Sequence, residues 1–135
     1  MNLSSKVDVQ CFLQQVFSAM FDPAVSVRGV GQFFSKDYCQ IVDGKRMNFD
    51  EFNNHIQTVK DSIGSAFVTF EKLVVDGSSV ADIHTVHGLK KDGAPFKTRV
   101  MAFYNIENGK IRRTEEFTHL IEGSPRDRDL GSRTN

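Results

Sequence analysis

The second half of the chain consists of β-strand patterns separated by glycine turns. Asp76-Gly77, Asp92-Gly93 and Asn108-Gly109 each lie between stretches rich in apolar and β-branched residues. Dipeptides of this kind favour the backbone angles of tight hairpin turns. The pattern therefore predicts a four-stranded antiparallel meander, with strands over 66–75 and 80–91 and a long hairpin over 96–120.

The first half of the chain shows helical periodicity instead. Apolar residues recur at helical spacing between positions 9 and 20, where Ser5 predicts the helix start and Asp22-Pro23 its end. A weaker helical stretch covers 27–34, a short strand covers 38–42, and Asn48 with Glu51 predicts the start of a third helix. Because helices and strands are segregated, we expect an α+β fold with three N-terminal helices packed on a curved, mostly antiparallel sheet.

Composition limits the classes of function. The chain has 135 residues, with 17 basic and 17 acidic side chains, so it is the size of one domain and has no excess of positive charge for nucleic acid. It contains no apolar run long enough to cross a membrane. The N-terminal residues do not resemble a signal peptide. Cys11 and Cys39 match no zinc or disulfide pattern, and we expect a cytoplasmic protein with reduced thiols.

The last residues of the chain are polar and charged. From Ser124 onward, Leu130 is the only large apolar side chain. We therefore expect one domain over 1–123 and a polar C-terminal tail over 124–135 that buries little and is dispensable for folding.

The strand pattern also predicts which side chains share a face of the sheet. The predicted loops have two residues each, Asn108-Gly109 and Gly93-Ala94, and they set the pairing of the last three strands. One face then combines apolar groups with charged ones, a mixture that suits the lining of a partly polar cavity. Its predicted members are Asp82, His84, Val86, Arg99, Met101, Phe103, Asn105, Thr114 and Glu116. The opposite face is broadly apolar, and its predicted members include Ile83, Val100, Ala102, Tyr104, Ile106, Ile111 and Phe117.

Four residues are candidates for chemistry. Glu116 beside Arg99 is either a catalytic carboxylate held ionised by the guanidinium or one half of a structural ion pair. His84 is either a proton carrier or a hydrogen-bonded wall residue. Tyr38 is either a donor to a developing oxyanion or a space-filling aromatic residue.

The remaining candidates are expected to bind the ligand, and four of them, Phe52, Ile56, Met101 and Phe103, are expected to be pocket or core walls without a chemical role. Asp82 is expected at the rim of the cavity, and the expected ligand-contacting residues are Gln40, Phe52, Ile56, Val86, Met101 and Phe103. We expect no metal site, because His84 and His87 are three positions apart on one strand and point to opposite faces.

The order of elements, the Asp43-Gly44 turn and the closing sequence GKIRRTEEFTHL resemble the NTF2-like superfamily, especially its SnoaL-like branch of small bacterial proteins. The resemblance covers about residues 5–122. It implies a cone-shaped α+β barrel that encloses a pocket and forms homodimers through the outer face of its sheet. Members include ketosteroid isomerases, polyketide cyclases and limonene epoxide hydrolase, which use no metal or organic cofactor, as well as inert binding and scaffold proteins.

Limonene epoxide hydrolase shows how far the resemblance extends. Tyr38-x-Gln40 is similar to the polar pair on its first strand, and Glu116 falls at its last-strand acid. Its Arg-x-Asp pair is missing here, where the chain reads Asp82-Ile83-His84. The resemblance therefore implies an isomerase, cyclase or hydrolase that uses acid/base residues on a small apolar ligand. The alternative is a non-catalytic binding protein or a dimeric scaffold.

Overall fold

The computed structural model describes residues 5–134 and contains the three predicted helices. They are α1 (Lys6–Phe21), α2 (Val27–Gly31) and α3 (Phe49–Ser62). The side chain of Ser5 caps α1 by accepting a hydrogen bond from the Asp8 amide at 3.1 Å. Asn48 and Glu51 form a reciprocal capping box at the start of α3, as the sequence predicts. The ends of the predicted domain and tail, residues 1–4 and 135, lie outside the described residues.

The sheet has six strands in the described residues and is curved but not closed. Its strands are β1 (Phe34–Val42), β2 (Lys45–Asn48), β3 (Ile63–Asp76), β4 (Ser79–Lys90), β5 (Pro95–Glu107) and β6 (Lys110–Glu122). Their spatial order is β2-β1-β6-β5-β4-β3, and only β1 and β6 run parallel. The α+β fold with helices on a mostly antiparallel sheet is therefore confirmed. Strand β2 was not predicted; it forms a hairpin with β1 around Asp43-Gly44.

The inner face of this sheet packs against the helices. Leu13 of α1, Phe52 and Ile56 of α3, and Tyr38 and Tyr104 of the sheet all belong to one buried core. Among the described residues, no helix is long and apolar enough to span a membrane.

The predicted pairing of β4 with β5 is wrong. The loop is Lys91-Asp92-Gly93 rather than Gly93-Ala94, because Gly93 donates to the Lys90 carbonyl and Lys90 donates to the Ala94 carbonyl. This is a type I turn followed by a glycine of positive φ, the usual three-residue hairpin. His84 therefore pairs with Val100 rather than Phe103. The shift is an odd number of residues, so it turns every β5 side chain to the other face relative to β4.

The predicted pairing of β5 with β6 is also wrong beyond the turn. The register shifts between Asn105 and Ile106, where the pairing passes from Ile106–Ile111 to Asn105–Arg113. Arg112 is thus the extra residue of a β-bulge. Ala102, not Met101, is the partner of Glu116.

Each of the two register shifts is an odd number of residues, so each reverses the face that a strand presents. Together they leave the predicted relation between β4 and β6 unchanged, and only β5 presents the opposite face. Asp82, His84, Val86, Thr114 and Glu116 share the inner face, as predicted. The predicted faces of the β5 residues are exchanged: Val100, Ala102, Tyr104 and Ile106 are buried inside, whereas Arg99, Met101 and Phe103 are exposed on the outer face. Ile111, placed on the outer face by the sequence, is buried as well.

The C-terminal segment does not behave as the predicted tail that buries little. It forms a short 3-10 helix over Pro125–Asp129 and packs against the domain. Asp127 is buried and forms an ion pair with Lys90 at 3.1 Å, and Ser132 is buried too. The polar composition was misleading because its backbone carbonyls and one buried carboxylate, rather than apolar side chains, make most of these contacts.

Candidate functional site

A cavity of about 90 Å³ lies between the helices and the inner face of the sheet. Its walls combine apolar side chains from every layer of the fold with a few polar groups. The polar members are Gln40, His55, His84, Thr98, Glu116 and Thr118, and the apolar members include Phe17, Met20, Phe21, Val59, Val86, Phe96, Val100 and Leu130.

Strand pairing places the two acidic candidates in one row across the sheet. Ala102 on β5 is the partner of Asp82 on one side and of Glu116 on the other. Strands lie about 4.8 Å apart, so the backbones of the two acidic residues are separated by roughly 10 Å. Because alanine ends at its methyl group, the space between the two carboxyl groups is not filled from β5.

Asp82 was predicted to lie at the rim of the cavity, and this prediction is wrong. Asp82 is the centre of a buried hydrogen-bond network. Its carboxylate oxygens lie 3.0 and 3.1 Å from Nδ1 of His84. The Tyr104 hydroxyl donates to the same carboxylate at 3.2 Å. All three side chains are almost fully buried. The carboxylate accepts the Nδ1 proton, so the tautomer of neutral His84 leaves its Nε2 as the unprotonated nitrogen.

Glu116 lies across the row from this network and has no comparable partners. Its side chain makes no hydrogen bond to any described residue, and its backbone carbonyl is held by the Asp43 amide. Burial raises the pKa of the Glu116 carboxyl to about 7. The His84 imidazole opposes this shift, whereas the charges of Asp82 and Asp43 add to it. A carboxyl group with this pKa exists in both protonation states near neutral pH.

Tyr38 and Gln40 form a second polar pair on β1. The Tyr38 hydroxyl donates to Oε1 of Gln40 at 2.6 Å. Burial raises the pKa of Tyr38 well above its usual value, so the phenol stays neutral. With Oε1 occupied, the amide nitrogen of Gln40 has no partner among the described residues, and Gln40 lines the cavity. Tyr38 therefore orients Gln40 and does not itself contact the cavity.

The cavity also contains an unpaired hydroxyl group. Oγ1 of Thr98 is buried and has no hydrogen-bond partner in the described part of the chain. Buried polar atoms in native proteins are nearly always paired, so an unpaired one beside a cavity is available to a ligand or to water.

Three predicted site residues lie outside the cavity. Arg99 is on the outer face, where its guanidinium binds Glu71 at 2.7 Å, so it cannot hold Glu116 ionised. Met101 and Phe103 are 59% and 51% exposed on that same face. The reason is the exchanged orientation of β5 described above.

The other predicted wall residues divide into two groups. Val86 and Gln40 line the cavity, whereas Phe52 and Ile56 are buried in the core behind it. Phe52 stacks edge-on against Tyr38, with ring centroids 4.8 Å apart. These two residues therefore support the site without contacting a ligand.

Sequence reasoning missed Tyr104, Ala102, His55 and Leu130. Two signals were available for the first two. Asp92-Gly93 after Lys91 fits a three-residue loop as well as a two-residue one, and the adjacent charges of Arg112 and Arg113 interrupt strict alternation where the bulge occurs. His55 lines the cavity and is buried, and burial lowers its pKa. No local signal identifies Leu130, because its contacts are distant in sequence.

A larger hollow of about 240 Å³ lies elsewhere, between α1 and β3. Its walls include Gln14, Ser18 and Phe67 and contain no titratable side chain. It therefore offers no acid/base chemistry, and the smaller cavity is the candidate site despite its size. Among the described residues, no group of three or more His, Cys, Asp and Glu side chains is arranged to hold a metal ion.

Comparisons with known proteins agree with this architecture. The family model described as a SnoaL-like domain matches residues 13–114. An uncharacterized protein of Schizosaccharomyces pombe is 30% identical over 125 residues, which cover 93% of this chain and 96% of that protein.

Solved structures share the fold at low sequence identity. An NTF2-like protein from Exiguobacterium sp. 255-15 has a TM-score of 0.67 at 16% identity, covering 82% of this chain and 97% of that one. A proposed isomerase from Rhodopseudomonas palustris has a TM-score of 0.72 at 13% identity, covering 91% and 96%. At these identities the structural similarity concerns the fold alone.

Proposed function

This chain belongs to the SnoaL-like family, and on that premise we propose that it is a cofactor-independent enzyme that transfers protons on a small, neutral, oxygen-bearing apolar molecule. The observation that carries the proposal is Glu116, a carboxyl group with a pKa of about 7 that faces a cavity and lacks a protein partner. The reaction class that fits best is isomerisation by proton transfer next to a carbonyl group.

Glu116 is the proposed proton carrier. A general base works best when its pKa lies close to the working pH, because it is then both available and strong enough. As a carboxylate, Glu116 removes a proton from the carbon beside the ligand carbonyl. As the resulting acid, it returns that proton to another carbon of the same molecule, so the reaction needs no external oxidant or reductant.

The negative charge that develops on the ligand oxygen needs a donor. The amide nitrogen of Gln40 is available as a donor, because the Tyr38 hydroxyl binds the amide oxygen, Oε1, and not the nitrogen. A donor that is already oriented stabilises a developing oxyanion without reorganisation. His84, whose ring Asp82 orients through Nδ1, leaves Nε2 as an acceptor, so it can pair with a hydroxyl group of the ligand but does not stabilise the oxyanion.

The lining of the cavity defines the class of ligand. It contains no lysine or arginine, and its acidic group is Glu116, so an anionic ligand would be repelled without compensation. The aromatic and aliphatic walls favour apolar carbon atoms. A cavity of about 90 Å³ accommodates a small molecule and is below the usual range for drug-sized ligands.

Deuterium exchange tests proton transfer without knowledge of the natural substrate. Cyclopentanone is incubated with the protein in D₂O near neutral pH, and loss of its α-proton signals is followed by NMR. We expect the protein to accelerate exchange and Glu116→Gln to reduce that acceleration by roughly 100-fold, a typical contribution of a general base. Glu115→Gln is the matched control, because Glu115 is exposed on the outer face. Exchange at the buffer rate, or equal rates for both variants, contradicts the proposal.

A second candidate is a binding protein without turnover. It is favoured by the network of Asp82, His84 and Tyr104, whose side chains hydrogen-bond to one another. Fewer of their donors and acceptors are then left to act on a ligand. The same experiment separates the two functions. A binding protein shifts NMR signals on addition of cyclopentanone but leaves the exchange rate unchanged.

We also propose that the outer face of the sheet forms a homodimer. Met101, Phe103 and Phe117 are 59%, 51% and 61% exposed, and they flank a shallow apolar hollow that includes Ile83. Exposed apolar surface of this extent is typical of interaction sites. Ile83 and Phe117 are on the predicted outer face, whereas the β5 members differ from those predicted because β5 presents its other face. A cytoplasmic location is consistent with the two free thiols, Cys11 and Cys39.

A further inference from the structure

The cavity is closed on one side by the C-terminal segment, residues 124–134. Leu130 and Gly131 line it together with residues from the helices and the sheet. Leu130 packs against a small apolar cluster formed by Val59, Ile63 and Phe96. Residues far apart in the sequence therefore meet at this wall. Leu130 is the largest apolar side chain that the C-terminal segment contributes to it.

Polar contacts hold the segment in place at several points. Lys45 donates from Nζ to the Ser132 carbonyl at 2.9 Å, and Nδ1 of His55 donates to the Arg133 carbonyl at 2.8 Å. The buried carboxylate of Asp127 binds Lys90 and also accepts from the Ser124 amide at 2.9 Å.

The start of the segment is fitted to this arrangement. Gly123 has a φ of 142°, and a Cβ atom there would lie 2.7 Å from Oδ2 of Asp127. The turn therefore favours glycine, which lets Asp127 fold back over the chain.

We propose that the C-terminal segment is the specificity wall of the site and that Leu130 sets the size of ligand that the cavity accepts. The inference rests on the proposed function for the nature of the ligand, but the wall itself is defined by packing. A side chain held in place at the edge of a small cavity excludes larger molecules by steric contact. In an apolar pocket, a change of one or a few methylene groups alters discrimination by roughly 10–200-fold.

Binding of two neutral ketones tests this role in the full chain. Affinities for cyclopentanone and for the larger bicyclic 2-decalone are measured by NMR titration of the wild type and of Leu130→Ala. We expect the wild type to prefer cyclopentanone, and Leu130→Ala to bind 2-decalone about tenfold more tightly than the wild type does. Leu89→Ala is the matched control, because Leu89 is 47% exposed and does not line the cavity.

The outcomes separate this inference from the proposed function. An affinity of Leu130→Ala for 2-decalone within about twofold of the wild type overturns the inference. So does a wild-type protein that binds both ketones equally well. A gain in 2-decalone affinity without α-proton exchange supports the specificity wall and refutes the proton-transfer function. If Leu130→Ala does not fold, Leu130→Val provides the same test with a smaller expected gain.

Discussion

Glu116→Gln should stabilise the protein at alkaline pH while changing its stability much less in mild acid. In the folded protein the pKa of Glu116 is raised from 4.5 to about 7. The folded state therefore binds this proton more tightly than the unfolded state. The stability linked to the proton is fully present below pH 4.5 and is lost as the pH rises to about 7. Glutamine keeps the shape of the protonated acid and never ionises, so it avoids this loss.

The size of the effect follows from the shift in pKa. Each pKa unit corresponds to about 1.4 kcal/mol, so a shift from 4.5 to about 7 amounts to about 3 kcal/mol once the carboxyl group is fully ionised. Much of this loss occurs between about pH 5 and about pH 8. The stabilisation by Glu116→Gln should therefore increase by about 2–3 kcal/mol over that interval.

Urea denaturation at the two pH values measures the difference directly. The chain contains no tryptophan, so unfolding is followed by circular dichroism. Glu115→Gln, on the outer face, should change the free energy of unfolding by less than about 0.5 kcal/mol at either pH. Equal effects of Glu116→Gln at both pH values would show that the carboxyl group titrates normally. Destabilisation at alkaline pH would show that its charge has a partner, contrary to the structure.

Three further substitutions test the buried hydrogen-bond network, the ion pair on the outer face and the proposed dimer. Tyr104→Phe removes a hydrogen bond to the buried Asp82 carboxylate and should destabilise the protein by about 1–3 kcal/mol in urea denaturation; a neutral result would show that the network does not need this donor. Arg99→Ala should lower the free energy of unfolding by less than about 1 kcal/mol and leave deuterium exchange unchanged, because the ion pair of Arg99 is exposed. Loss of exchange would show that Arg99 contributes to the site after all. Phe103→Asp should convert the proposed dimer to a folded monomer in sedimentation velocity, and a wild-type monomer at micromolar concentration would refute the interface.

Local signals were sufficient for much of the fold. Ser5 and Asn48 mark the helix starts that the structure contains, and glycine turns mark the hairpins. These features depend on neighbours within a few residues, so the sequence carries them directly. The SnoaL-like resemblance also came from the order of elements and the closing strand.

The sequence was less informative about the orientation of β5. Met101 and Phe103 alternate with Val100, Ala102 and Tyr104, so both faces of this strand are apolar and hydrophobicity does not select one. The choice depends on the loop at Lys91-Asp92-Gly93 and on the bulge at Arg112, each of which shifts the register. Strands β4 and β6 kept their predicted relation because the two shifts cancel.

By itself, the amino-acid sequence determined the fold class, the family and the shared face of Asp82, His84 and Glu116. Only the tertiary structure decided that Arg99 lies outside, that Glu116 lacks a cationic partner and that Leu130 closes the cavity. The physical reason is the separation along the chain of the residues that interact. Helix caps, turns and alternation act between near neighbours, whereas the pKa of Glu116 and the packing of the C-terminal segment depend on contacts between residues that are distant in the chain.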